Sequence, residues 1–148
     1  MIFIDFSTLD ISNSQTVTGE ISFLIDETYF PHRNWNDFIV IISNWWLEQL
    51  HDLIQSKSSG KVDLLFMDGP FKVSITNKNE YWLLFFIRNH NTIIQSELIN
   101  PSTFVRNFLT DVNMLLRICT NRDWINADTK KLQNSHQKLV RLINRINF

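Results

Sequence analysis

Four histidines, one cysteine and fifteen carboxylates are the side chains of this sequence with the strongest claim to chemistry, so their spacing is read first. His32, His51, His90 and His136 are far apart, and none stands in an H-x-x-x-H or H-E-x-x-H spacing. A zinc site would have to gather ligands from distant segments, and Cys119 alone cannot begin a thiolate set. His51 and Asp52 are adjacent, but neighbours on a helix point roughly 100° apart. His136, on an apolar helix stripe, reads as a partly buried, hydrogen-bonded histidine rather than a ligand. Cys119 falls on a buried helix face, where a thiol behaves as a small hydrophobe and not as a thiolate.

Other catalytic patterns are missing as well. There is no G-x-S-x-G elbow, and Gly19, Gly60 and Gly69 are too scattered to cradle a phosphate. Asp63, Asp68 and Glu80 flank strand-like runs, where turn and edge roles explain them without catalysis. The expectation is a chain that is not an enzyme and uses no metal and no cofactor. Binding is then the function to look for.

Charge suggests where. The net charge of −1 gives no global field toward nucleic acid or membrane, but the charges are segregated. Residues 1–30 carry Asp5, Asp10, Glu20, Asp26 and Glu27 without a Lys or Arg. Residues 120–148 carry six cations against Asp123 and Asp128. Two binding surfaces would produce this split; so would solvated faces that attract each other across the fold. Asp26, Glu27, Glu48 and Asp52 are the candidate contacts for a protein partner, chosen for charge and expected exposure. A basic partner would meet them through complementary fields. The alternative is nucleic-acid binding through Lys138, Arg141 and Arg145 of the last helix. Stacking platforms need rings interleaved with cations, and here the rings fall on apolar stripes instead.

The elements that must position these residues are legible from periodicity. The chain has 148 residues, 44% of them apolar, and its 12 Phe, 5 Trp and 2 Tyr promise a heavy core. That length fits one α+β domain spanning residues 1–148. Ile2, Ile4 and Phe6, then Ile21, Phe23 and Ile25, alternate as strands, with Ser12 to Gly19 between them as a turn. Pro31 ends the second strand. A tryptophan-rich helix is expected from about Trp35 to Gln55, with Asn34 as its cap and Asp37 in its first turn. Trp35, Ile39, Ile42, Trp46, Leu50 and Leu53 form its stripe, widened by Phe38, Ile41 and Trp45. After a serine-rich loop at Ser56–Lys61 come strand-like runs at Val62–Asp68, Phe71–Thr76, Tyr81–Arg88 and Thr92–Leu98. Their short links predict an antiparallel meander. Asn100-Pro101 opens a second helix, with Val105, Phe108, Val112, Leu115 and Cys119 inward. A third helix runs from about Asp128 to Asn147, with Leu132, His136, Leu139, Ile143 and Ile146 on one face. The sum is an antiparallel sheet of five or six strands packed against the Trp helix and the two C-terminal helices.

The opening Met-Ile-Phe-Ile-Asp-Phe has no basic stretch, which argues against a signal peptide. The longest apolar run, Tyr81 to Ile87, is far short of the roughly 20 residues a spanning helix needs. A cytoplasmic protein with no membrane partner is expected.

One stretch is similar to known proteins. Phe30-Pro31, Trp35, Asp37-Phe38 and Trp45-Trp46, followed by Phe66-Met67-Asp68-Gly69-Pro70, resembles a pattern in short bacterial proteins. Some of these look like immunity partners of contact-dependent or polymorphic toxins. The resemblance covers roughly residues 20–75, and its motifs look structural. It implies a cytoplasmic antitoxin that binds and blocks a toxin's catalytic domain, and it carries over no functional residues.

Overall fold

A computed structural model describes residues 1–56, 60–90 and 92–148. The expected loop at Ser56–Lys61 therefore lies partly outside the described residues. Strands β1 (Ile2–Ile11), β2 (Val17–Ile25), β3 (Thr28–Phe30) and β4 (Asn36–Asp37) precede helix α1 (Ile39–Gln55). Strands β5 (Lys61–Leu65), β6 (Lys72–Lys78), β7 (Tyr81–Arg88) and β8 (Thr92–Ile99) follow, then helices α2 (Pro101–Asn121) and α3 (Ala127–Ile146).

The α+β class is as expected, but the strands do not form one sheet. They form two antiparallel sheets of four strands: β1-β2-β3 with β4 also on β2, and the meander β5-β6-β7-β8. Helix α1 stands between the two sets in the chain. The missing strands, β3 and β4, are three and two residues long, too short for a period-2 signal.

Inner rows of both sheets converge on Phe23. Its ring lies 5.5 Å from Trp46 of α1, 5.5 Å from Phe86 of β7 and 6.3 Å from Phe104 of α2. Such ring pairs add to the area they bury, so this junction ties both sheets to two helices. The Trp46 indole N–H also donates to the Leu65 carbonyl at 2.7 Å, which satisfies a polar group that burial would otherwise penalise. Gly19 opens the room that α1 needs: a Cβ there would meet the Leu9 side chain at 2.6 Å, beside Ile39.

The start of α1 is a correction. Asn34 does not cap it and Trp35 is not in it. Asn34 sits at φ 60° and donates to the Glu20 carboxylate, while Asn36–Asp37 pairs with Gly19–Glu20. Buried Asp37 accepts from the Trp35 indole N–H (2.8 Å), Phe38 N–H (2.7 Å) and Met67 N–H (3.2 Å). Three donors on one carboxylate hold residues 31–38 across the loop after β5. Rings complete this clasp, with Trp35 5.4 Å from Phe71 and Phe30 6.0 Å from Phe66. The motifs at Phe30-Pro31, Trp35, Asp37 and Phe66-Met67 thus meet in space.

Helices α2 and α3 begin close to where their signals place them. Asn100 accepts from Thr103 N–H ahead of Pro101, and Asn126 forms a reciprocal capping box with Thr129. The expected inner stripe of α2 is buried throughout. On α3, Leu132, Leu139 and Ile143 are buried, but Ile146 is exposed. In the second sheet β7 is an inner strand, with Trp82, Leu84 and Phe86 buried and Leu83 and Phe85 half-buried. Among the described residues no helix is long and apolar enough to cross a membrane.

Candidate functional site

Helix α1 has a sealed side and an outward side. Its inner stripe, including Ile39, Ile42, Trp46, Leu50 and Leu53, is sealed. Rotated about 100° from that stripe is the row Phe38, Ile41 and Trp45. Sequence periodicity assigns this row to a widened core; the structure leaves Phe38 39% exposed and Ile41 and Trp45 half-buried. Glu48 and Asp52 continue along the outward side, both exposed.

Packing of α3 against α1 turns this side into a groove of about 320 Å³. Glu48, His51 and Asp52 come from α1, and Ser135 and Lys138 from α3, over a floor that includes Leu47. Asn44 fixes the seam. Its amide N–H donates to Glu48 at 3.1 Å, and its carbonyl oxygen accepts from the Ser135 hydroxyl. One partner of the Glu48 carboxylate is thus set by the fold, and the remaining lone pairs face outward. A second hollow of about 250 Å³ lies across Glu48, walled by Trp45, Gln49, Asp63 and Leu65. Trp45 walls a third, smaller one with Ile41, Asn44, Asp128 and Lys131.

Two of the four expected protein-contact residues, Glu48 and Asp52, therefore share one groove with Lys138, the first of the expected nucleic-acid contacts. The structure does not bring the others in. Asp26 and Glu27 are the two central residues of the β2–β3 hairpin, at φ 47° and 67°, and do not line this groove. Arg141 and Arg145 are exposed on α3 outside it. Trp45, Asn44 and Ser135 are the site residues that sequence reasoning missed.

Electrostatically the groove is split. Among the described residues the one ion pair is Lys72–Asp63 at 3.2 Å, where Ser74 also donates to Asp63. Glu48 and Asp52 thus face Lys138 without pairing with it. No ion pair joins the acidic N-terminal and basic C-terminal segments either. Their contacts instead run from Arg122 to the Leu9 carbonyl (3.3 Å) and from Asn126 to the Gln15 carbonyl (2.8 Å).

The titrating groups with perturbed acidity lie on α2, outside the groove. Burial pushes the Asp111 carboxyl above its ordinary value, partly offset by the N-terminal amine. Burial pushes the Cys119 thiol up to about 11, partly offset by Arg122. His136 donates its Nε2–H to the Leu109 carbonyl at 3.0 Å, which fixes its tautomer. It borders a separate α2–α3 groove of about 320 Å³ rich in amides, with Arg117 its one fixed charge. Among the described residues no three His, Cys, Asp or Glu side chains gather closely enough to hold a metal ion.

The arrangement defines an α+β domain with an open, charge-split helical groove beside a half-exposed tryptophan. Comparison with family models, curated proteins and solved structures finds no match.

Proposed function

We propose that this chain is a protein-binding module that docks a partner along the outward side of α1 and the α1–α3 groove. The observation that carries the reading is the pair of carboxylates, Glu48 and Asp52, left unpaired opposite Lys138. Trp45 beside them supplies the large, half-buried ring that protein interfaces favour as an anchor. Charges of both signs around an aromatic suit a protein surface, which offers both signs in return. Two carboxylates against one lysine further favour a partner with a basic contact patch.

The resemblance to immunity proteins gives the module a sharper form: a cytoplasmic antitoxin that blocks a basic toxin domain by stoichiometric binding. The neighbouring reading frame tests this form. It should encode a long protein with a secretion module and a toxin-like C-terminal domain. That domain, produced with this chain, should form a one-to-one complex and lose its activity. Glu48→Lys with Asp52→Lys should slow association by roughly tenfold or more at low salt, with the fold unchanged. Unchanged association at low salt would remove the groove from the interface.

Nucleic-acid binding through Lys138, Arg141 and Arg145 has less support, because a phosphate at Lys138 would approach Glu48 and Asp52 as well. That reading expects binding to DNA or RNA at about 50 mM salt that weakens steeply as salt rises. Arg141→Glu with Arg145→Glu should abolish it.

A further inference from the structure

The hollow of about 250 Å³ between α1 and β5 is walled by two regular elements. Trp45, Glu48 and Gln49 stand at i, i+3 and i+4 on α1 and so are neighbours on one face. Asp63 and Leu65, two apart on β5, share the opposite wall. Leu65 is 47% exposed and Trp45 half-buried, so both offer apolar surface to the hollow. The walls are held from behind. The Trp46 indole N–H donates to the Leu65 carbonyl at 2.7 Å, which fixes β5 to α1. The Asn44 amide holds Glu48 at 3.1 Å. Ser74 donates to one Asp63 oxygen and Lys72 to the other, the latter at 3.2 Å. Walls fixed in this way have their geometry before a ligand arrives.

What stays open in the hollow selects its occupant. A carboxylate offers about four lone-pair sites. Glu48 uses one of these and Asp63 two. Lys72 balances Asp63, which leaves the charge of Glu48 unmatched. An apolar side chain would cover Trp45 and Leu65 but strip water from the open lone pairs without replacing it. An anion would meet two carboxylates. A long cationic side chain meets both demands, with its methylenes on Leu65 and its head between the carboxylates and the indole face. Arginine suits this better than lysine. Its guanidinium is planar and weakly hydrated, so it stacks on an indole while its N–H groups donate to carboxylates. The chain makes the same stacking contact elsewhere: the Arg122 guanidinium lies 5.0 Å from the Trp124 ring centre. Among the described residues no cation lies over Trp45.

We propose that this hollow seats a single arginine side chain of the partner protein. The proposal rests on the docking reading of the outward side of α1 and sharpens it. The basic contact patch is reduced to one guanidinium, held by Glu48 and Asp63 against Trp45.

Nitrogen-edited NMR of the full chain tests it, with Nα-acetyl-arginine amide as the probe. The Trp45 indole peak, identified by its absence in Trp45→Phe, should shift saturably at millimolar probe, while the Trp35 and Trp124 peaks stay in place. The lysine analogue should bind more weakly, and the uncharged citrulline analogue should not bind. Glu48→Gln should weaken arginine binding by roughly fivefold, whereas Glu80→Gln, the same charge loss between β6 and β7, should leave it unchanged. No saturable shift, indole peaks that move together, or lysine or citrulline binding as well as arginine would overturn the proposal. So would a Glu48→Gln chain that binds like the wild type. The docking reading fails separately, on partner association that Glu48→Lys with Asp52→Lys leaves unchanged. A silent probe beside a partner that responds to those substitutions would sink this inference alone.

Discussion

Trp46 is sealed in the core with its indole on the Leu65 carbonyl, whereas Trp45, one residue earlier, is half-buried and walls two hollows along α1. The two differ by a single helical step of about 100°. That step carries one ring toward Phe23, Phe66 and Phe108 and the other toward the seam with α3 and β5. An aromatic-rich helix is therefore not uniformly structural. Its inner ring holds the sheets together and its outer ring is available to a partner.

The comparison breaks most visibly on substitution. Trp46→Ala should cost roughly 3–5 kcal/mol, because it empties a well-packed site and orphans the Leu65 carbonyl. Trp45→Ala should cost only about 1 kcal/mol. Urea denaturation measures both. Equal losses would mean that Trp45 belongs to the core and the outward row is not a docking surface. The next largest effect belongs to the clasp that leads into α1. Asp37→Ala strands the Trp35, Phe38 and Met67 N–H groups and should cost about 3 kcal/mol, with Asp37→Asn recovering part of it. A loss below about 1 kcal/mol would show that water replaces the carboxylate there.

Why Asp37 escapes a reading of the sequence is instructive. Asn34-Trp-Asn-Asp is a fair helix start by residue type, since Asn caps and a carboxylate suits the first turn. Those same types also suit a turn at positive φ and a carboxylate that binds loop N–H groups. Only the distant Met67 and Gly19 decide between these uses, and they are more than fifteen residues away. The number of sheets is hidden for the same reason. Period-2 alternation marks each strand as a strand without naming its lateral neighbour. α2 was legible because Asn100-Pro101 and its apolar stripe are local signals. The groove was legible only in part. Glu48, Asp52 and Lys138 stand out by charge, but their meeting depends on how α3 is rotated against α1.

A smaller effect tests whether the inner stripe of α2 is as closed as that of α1. Burial raises the Cys119 thiol from 9.0 to about 11, so the folded chain holds this proton more tightly than the unfolded one. The sign follows directly. The contribution to stability is intact below about pH 9 and is lost as pH rises through about 11. Denaturation midpoints should therefore fall between pH 8.5 and pH 10.5 more steeply in the wild type than in Cys119→Ser. The native thiol should also resist disulfide reagents at neutral pH. Rapid native labelling would show that α2 opens far more readily than α1.

The smallest expected effect separates a backbone role from a contact role within the acidic residues themselves. Glu27 closes the Ile25–Thr28 hairpin at φ 67°, a region where a side chain is disfavoured and glycine is not. A two-residue turn with both central φ positive has the type I′ form, in which glycine at the second position is preferred. Glu27→Gly should therefore stabilise the fold by about 1 kcal/mol, despite removing a charge. Binding of a basic partner should be unchanged if the α1–α3 groove is the docking surface, because Glu27 does not line it. If binding weakens while stability rises, the hairpin tip belongs to the interface, and the outward side of α1 is only part of what the partner covers.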